Sequence, residues 1–139
     1  MNYLPENLKF EEGVAFINDF SLLDISSEHG TPLYVYDWEN IKNNISEFTT
    51  SFGNETLYRY AAKAFICKKL VTLLDENNWG VDVVSGGEMA TVLSAVGTLE
   101  NTLFNGTYKT KEEVDYFISN NGGHISVSYT HLRAHETRS

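Results

Sequence analysis

The sequence is poor in cysteine, in basic residues and in long hydrophobic runs, and each shortage excludes a class of protein. Its one cysteine, Cys67, cannot form an internal disulfide, which is typical of a chain in a reducing cytoplasm. Lysine and arginine number 10 against 19 acidic residues, giving a net charge of −9. Nucleic acids and anionic membranes bind basic surfaces, so neither is expected as a partner. No segment has the pattern of a membrane span or a secretory signal, so we expect a cytoplasmic protein.

What is present fits a folded chain of modest size. Hydrophobic residues make up 42% of the 139 residues and aromatic residues 13%, which is typical of a globular protein rather than a disordered one. The length suits one modest domain. It excludes a complete (β/α)₈ barrel, which typically needs about 250 residues.

Strand and helix patterns alternate from Leu57 onward, which indicates an α/β protein with a parallel sheet. Helical periodicity follows each strand pattern, beginning with residues 67–78, where Cys67 is predicted to be a small buried filler. Short apolar and β-branched runs predict the four strands of this sheet, at residues 57–62, 81–84, 102–105 and 124–126.

Local signals mark the boundaries of other elements. Serine or threonine followed three residues later by glutamate predicts a capping box at residues 85–88 and another at 110–113, each at the start of a helix. Asp37 is predicted to cap the helix that follows it. Further upstream, residues 33–36 predict a strand, whereas residues 1–12 are polar and are predicted to be irregular.

The segment most suggestive of chemistry is YAAKAF, which runs from Tyr60 to Phe65. It places Lys63 where a strand ends, among three alanines. An amine partly removed from water there is more often neutral, and a neutral amine is a nucleophile that can form a Schiff base. The alternative is a lysine at a strand end that points into water. The hexapeptide alone leaves both interpretations open.

Asp82 is a second candidate, because it lies inside an otherwise apolar strand. A buried carboxylate in such a place needs a partner or a functional reason. Its strand follows that of Lys63 in sequence and is therefore expected to lie beside it.

Taken together, YAAKAF and the later segment GVDVVSGGE, residues 80–88, resemble the barrel domain of the alanine-racemase-type (fold type III) pyridoxal phosphate enzymes. Within that group they most resemble the diaminopimelate decarboxylases. The similarity extends from Gly13 to Ser126 and includes GTPLYVYD, residues 30–37.

The resemblance implies a fold, a cofactor and a site. Residues 33–126 would form the N-terminal part of a (β/α)₈ barrel that binds pyridoxal 5'-phosphate, and residues 1–32 would contribute strands to a second, β domain of the full-length protein. Lys63 would carry the cofactor, and Asp82 would lie near it. A Gly-x-x-Lys pattern at Gly106 and Lys109, with Asn105 before it, is interpreted as shaping a loop rather than as catalytic.

The implied activity is decarboxylation of meso-diaminopimelate to L-lysine by a cytoplasmic homodimer that binds a small amino-acid substrate. The resemblance also implies that the phosphate-binding glycines and the substrate contacts lie beyond this chain. We therefore expect the chain as written to be an inactive, poorly folded fragment.

Several alternatives remain. Another decarboxylase of the same fold type could act on ornithine, arginine or carboxynorspermidine, and an alanine racemase or a small cofactor carrier is a further relative of this type. A catalytically inactive homologue could serve as a binding protein. Outside the family, the chain could be a small α/β binding domain.

The last residues depart from the pattern. Residues 127–139 have no periodicity and resemble a translated sequencing adapter, so we interpret them as a non-native tail. They contain His131 and His135 at a spacing that could suggest a metal site on a helix. No third ligand accompanies them, so no metal is expected.

Overall fold

A computed structural model of the chain describes residues 7–127. The chain divides into two compact units, Met1–Asn44 and Ile45–Ser139, whose described parts are residues 7–44 and 45–127. The two histidines and all but the first residue of the predicted tail lie outside the described residues, as do residues 1–6.

The first unit is built on a small antiparallel sheet. Its strands β1 (Leu8–Glu11), β2 (Val14–Ile17) and β3 (Phe20–Ser21) lie in that order. Helix α1 (Leu22–His29) follows directly, and the Ser21 hydroxyl caps it by accepting a bond from an N–H of the first turn. The prediction that residues 1–12 are irregular is wrong for β1, because a strand can form from polar residues when its partner lies one turn away.

Residues 33–36 do not form a strand, so that prediction is also wrong. The side chain of Tyr34 is 90% exposed. Apolar and β-branched residues favour extended backbone, but a strand also needs a paired neighbour, and none of the described strands pairs with this segment.

Helix α2 (Trp38–Phe52) begins after the predicted cap, Asp37. The N–H of Asn40 donates to Asp37 Oδ1 at 3.1 Å, and the side-chain amides of Asn7 and Asn18 donate to its other oxygen. The hydrogen bond from the backbone of Asn40, followed by that from Asn18, lowers the pKa of Asp37. The predicted cap is confirmed.

The second unit contains the predicted parallel sheet. Strands β4 (Arg59–Ala61), β5 (Gly80–Val83), β6 (Thr102–Phe104) and β7 (His124–Ile125) lie in sequence order, each parallel to the next. All four predicted strands are present, although β4 is three residues shorter than predicted, β5 lies one residue earlier, and β6 and β7 each end one residue earlier. Leu57 lies outside it and is 83% exposed.

One face of this sheet is buried against helices α3 (Lys68–Glu76), α4 (Gly86–Val96) and α5 (Lys111–Ser119). Helix α4 contacts both α3 and α5. None of the helices in residues 7–127 combines the length and the apolar character that crossing a membrane requires. The strands contribute four fully or almost fully buried side chains to this core: Val81, Val83, Thr102 and Phe104.

The opposite face of the sheet carries the Arg59, Asp82 and His124 side chains and is called the polar face. The strand register places Ala61, Asp82, Leu103 and His124 in one row across the sheet, and none of the four is fully buried. Arg59 lies two residues before Ala61 on β4 and therefore on the same face. Its guanidinium group reaches Nδ1 of His124 at 3.4 Å, so the first and fourth strands make contact above this face.

We predict that the isolated chain does not unfold cooperatively. Strands β4 and β7 are unpaired edges of the described sheet, and no layer among residues 7–127 covers its polar face. Scanning calorimetry and amide hydrogen exchange on residues 1–139, and on residues 7–127 as a matched shorter chain, would check this. A single sharp transition with strong exchange protection in β4–β7 would contradict it.

Candidate active site at the carboxyl edge of the sheet

A cavity of about 450 Å³ lies where β4, β5 and β6 end. Because the carboxyl ends of parallel strands meet at one edge, the loops that follow these three strands converge there. Both residues singled out from the sequence contribute to it. The lining residues are Ala61, Lys63, Asp82, Val84, Asn105, Gly106, Thr107 and Tyr108.

Lys63 reaches the cavity from a single 3₁₀ turn, Ala62–Ala64, that follows β4 directly. Ala62 is 2% exposed and anchors the turn in the core. The Lys63 side chain is exposed and makes no hydrogen bond or ion pair with any residue in 7–127. The expected removal of this amine from water is therefore not provided by the described part of the chain.

Asp82 lies on β5, directly opposite Ala61. Its Oδ2 accepts a bond from the side-chain amide of Asn105 at 3.2 Å. Its Oδ1 is buried and has no hydrogen-bond partner among residues 7–127. A buried carboxylate oxygen without a donor is costly, so its presence in a cavity marks a position where a further donor is favourable.

The end of β5 is tied to the start of α4 by Glu88. The Ser85 hydroxyl accepts a bond from the Glu88 N–H at 3.3 Å, as the predicted capping box requires. Glu88 Oε2, however, accepts from the N–H of Val84 at 2.7 Å instead of returning to Ser85. The prediction of a full capping box is wrong in this half, because the N–H at the strand end competes for the same carboxylate.

The start of α5 carries the complete capping box that was predicted. Glu113 Oε2 accepts from the N–H of Thr110 at 3.1 Å, and the Thr110 hydroxyl accepts from the Glu113 N–H at 3.1 Å. Glu113 Oε1 accepts from the N–H of Gly86 at 2.9 Å. One carboxylate therefore serves the starts of both α4 and α5. The backbone bonds from Thr110 and Gly86 lower the pKa of Glu113.

The turn after β6 is shaped as the sequence suggested. Lys109 Nζ donates to the carbonyl oxygen of Gly106 at 2.5 Å and lies 5.2 Å from the centre of the Phe104 ring. Burial lowers the pKa of Lys109. The bond from Asn105 to Asp82 was not predicted, because it depends on the register between strands and has no signal in the local sequence.

Two other expectations concern ligands and reactive groups. Cys67 was predicted to be a buried filler, but it is half-buried at the position before α3 and does not line the cavity. A helix start exposes backbone and leaves its cap residue outside the core.

Among residues 7–127, no three His, Cys, Asp or Glu side chains are arranged to hold a metal ion.

A lysine and a carboxylate beside a cavity at the carboxyl edge of a parallel sheet are typical of α/β proteins that bind small molecules there. Comparison with known proteins identifies which kind. Residues 38–131 match the protein family described as the pyridoxal binding domain of pyridoxal-dependent decarboxylases. Because this match covers more than half of the chain, the chain belongs to that family, and pyridoxal 5'-phosphate is the cofactor that membership implies.

Individual relatives agree with this assignment. The diaminopimelate decarboxylase of Mycobacterium leprae is 35% identical over 93% of this chain. A solved structure of a protein from Aquifex aeolicus superposes with a TM-score of 0.81 at 32% identity and covers 91% of this chain and 31% of that one. A diaminopimelate decarboxylase of Methanocaldococcus jannaschii in complex with L-lysine gives 0.72 at 31% identity, covering 88% of this chain and 30% of that one. The chain spans 28% of the length of the Mycobacterium leprae relative.

We predict that removing the Glu113 carboxylate loosens two loops of the cavity rim together. In a full-length protein carrying this segment, Glu113→Ala should speed amide exchange at both Gly86 and Thr110 by about tenfold, since each loses a bond to a charged acceptor. Exchange followed by mass spectrometry, corrected for intrinsic rates, measures this. Glu112→Ala removes a neighbouring exposed glutamate and should leave both amides unchanged.

The same interaction should depend on pH. The folded-state pKa of Glu113 lies below its ordinary value of 4.5, so the stabilisation is complete above that value and is lost as the pH falls through the lowered one. Protection at Gly86 and Thr110 should therefore fall only in strongly acidic solution. Independent loss at the two amides would contradict the shared carboxylate.

Proposed function

We propose that this chain forms the N-terminal part of a diaminopimelate decarboxylase, which converts meso-diaminopimelate to L-lysine and carbon dioxide. The observation that carries the proposal is the cavity that Lys63 and Asp82 share at the carboxyl edge of the sheet. In a chain of the pyridoxal-binding family, a lysine amine and a carboxylate at this edge are the groups needed to bind an aldehyde cofactor and manage a proton.

The proposed architecture is a partial (β/α)₈ barrel. The four strands follow one another in sequence order without a reversal, and right-handed crossovers then place every connecting helix on the same face. A sheet wound on one side in this way closes into a barrel, whereas a doubly wound sheet has helices on both faces.

The contact between Arg59 and His124 supports closure. Neighbouring strands lie about 4.8 Å apart, so the first and fourth strands of a flat sheet are separated by about 14 Å. The two side chains nevertheless meet at 3.4 Å above the polar face. A sheet curved toward that face would make this contact easier, and in a closed barrel that face would line the interior.

The residues at the cavity fit pyridoxal 5'-phosphate. The Lys63 amine has no partner among residues 7–127 and is available for covalent attachment to the aldehyde carbon. The buried Oδ1 of Asp82 has no donor within the same residues and can accept one from a ligand or from the lysine. We expect the phosphate-binding glycines in the remaining part of the full-length enzyme.

The cofactor, when bound, supplies the ring that accepts the electron pair released as carbon dioxide departs. The contribution of this chain is binding and proton management. Lys63 Nζ must lose a proton before it can attack a carbonyl carbon, and Asp82 Oδ1 is available to accept it. Before that transfer, the ionised Asp82 carboxylate favours the positive charge of the Lys63 ammonium group.

The substrate assignment follows the relatives. The matched proteins from Mycobacterium leprae and Methanocaldococcus jannaschii are diaminopimelate decarboxylases, and the second of these was solved with L-lysine bound. An amino-acid ligand of this class is therefore proposed for the full-length protein. An ornithine decarboxylase of Entamoeba histolytica is 21% identical and shows a shared fold alone.

The proposed enzyme is a cytoplasmic homodimer with two domains. Residues 33–126 would belong to the barrel, residues 1–32 to the β domain, and residues 127–139 to a non-native tail. The three-stranded sheet of the first unit supports a separate β domain, because so small a sheet buries little surface alone.

We predict that reduction with borohydride in the presence of pyridoxal 5'-phosphate labels Lys63 in the full-length enzyme. A covalent bond between an amine and the aldehyde becomes permanent on reduction, so peptide mapping by mass spectrometry identifies the lysine. Lys63→Arg keeps the charge and should abolish the label, whereas Lys68→Arg, an exposed lysine on α3, should retain it. A label on another lysine would overturn the assignment.

We further predict release of carbon dioxide from meso-diaminopimelate with formation of L-lysine. The kcat/KM for this substrate should exceed those for ornithine and arginine by at least about 100-fold. Diaminopimelate carries an amino and a carboxyl group at each end, and a site that binds the second pair rejects substrates without it. Manometric or isotopic release assays measure the ratio. Preference for ornithine with a labelled Lys63 would refute the substrate and leave the cofactor site intact.

A further inference from the structure

Asn105 connects the loop after β6 to the carboxylate on β5. Its backbone N–H donates to the carbonyl oxygen of Val83 at 2.8 Å, and its side-chain amide donates to Asp82 Oδ2 at 3.2 Å. Both bonds cross from the end of one strand to the next. The backbone bond holds Asn105 beside the end of β5, and the side-chain bond directs its amide to Asp82.

The turn that follows is held at two further points. A side chain at Gly106 would approach the carbonyl oxygen of Val84 to 2.7 Å, so the backbone here lies against the end of β5 and only glycine fits. Lys109 donates to the Gly106 carbonyl oxygen and lies against the ring of Phe104, which is fully buried. Lys109 is thus used for structure, and Asn105 is the residue this turn presents to Asp82.

An amide is suited to this position. A neutral N–H that donates to a carboxylate makes a charge-assisted bond and limits the rotation of the carboxylate. A cation in the same place would compete with the Lys63 amine for the charge of Asp82. An amide fixes Oδ2 and leaves the negative charge available, while Oδ1 remains without a donor among residues 7–127.

We propose that Asn105 is a positioning residue of the cofactor site, whose side-chain amide orients the Asp82 carboxylate toward the space beside Lys63. It acts through Asp82 and needs no contact with the cofactor or the substrate. The inference rests on the function proposed above and extends it to a residue outside the lysine and aspartate motifs.

The test uses the full-length enzyme stripped of cofactor and titrated with pyridoxal 5'-phosphate. Asn105→Asp keeps the size of the side chain but replaces the donor with a second carboxylate, and Asn105→Ala removes the side chain. Each should raise the Kd for the cofactor by about tenfold, as expected for losing a bond to a charged group. The melting temperature of the cofactor-free protein should stay within the range of the wild type.

A double-mutant cycle separates positioning from loop support. If Asn105 acts through Asp82, adding Asn105→Ala to Asp82→Ala should change the Kd less than about twofold, because coupled residues are not additive. A further tenfold loss in the double variant would show that Asn105 acts through the loop and would overturn the proposal.

The matched control is Asn101→Ala, which removes an exposed amide just before the opposite end of β6. Its Kd should equal that of the wild type. A wild-type enzyme that does not take up the cofactor on Lys63 would refute the proposed function itself. A wild type that is labelled on Lys63, with Asn105 variants that bind the cofactor equally well, would refute only the positioning role.

Discussion

The structure of the second unit depends on the burial of one face of its parallel sheet. Val81, Val83, Thr102 and Phe104 are removed from water by the three helices that follow the strands, and apolar burial of this kind is the main stabilising contribution in a small domain. Because side chains alternate along a strand, burying these residues turns the intervening row, which includes Asp82, to the opposite face. The packed core thus determines where the polar groups of the site can lie.

Carboxylates organise the rim of that site. Glu88 accepts from the N–H of Val84, just after β5, and Glu113 accepts from N–H groups at the starts of two neighbouring helices. Neither side chain lines the cavity. Their bonds connect the end of β5 to the start of α4, and the start of α4 to the start of α5. Local capping interactions, each modest in energy, therefore support a site to which they contribute no ligand.

The sequence predicts the parts of this fold that depend on neighbouring residues. Short apolar and β-branched runs locate all four strands of the parallel sheet, and the strand-end position of Lys63 follows from them. The strand expected at residues 33–36 is not present, because pairing is decided by distant parts of the chain. The bond from Asn105 to Asp82 and the bond from Gly86 to Glu113 could not be predicted for the same reason. The register between strands brings Asn105 within 3.2 Å of Asp82. It depends on residues far apart in the sequence and cannot be predicted from any short segment.

The guanidinium of Arg59 has a consequence for recombining pieces of related enzymes. The Nε atom of this group is buried and has no acceptor among residues 7–127. Another nitrogen of the group, Nη2, lies 3.4 Å from Nδ1 of His124. A buried N–H without an acceptor is unfavourable. A polypeptide grafted onto this segment to complete the sheet is therefore favoured when it brings an acceptor opposite Arg59 Nε. Chimeras that ignore this complementarity are expected to assemble poorly, however well their strands align.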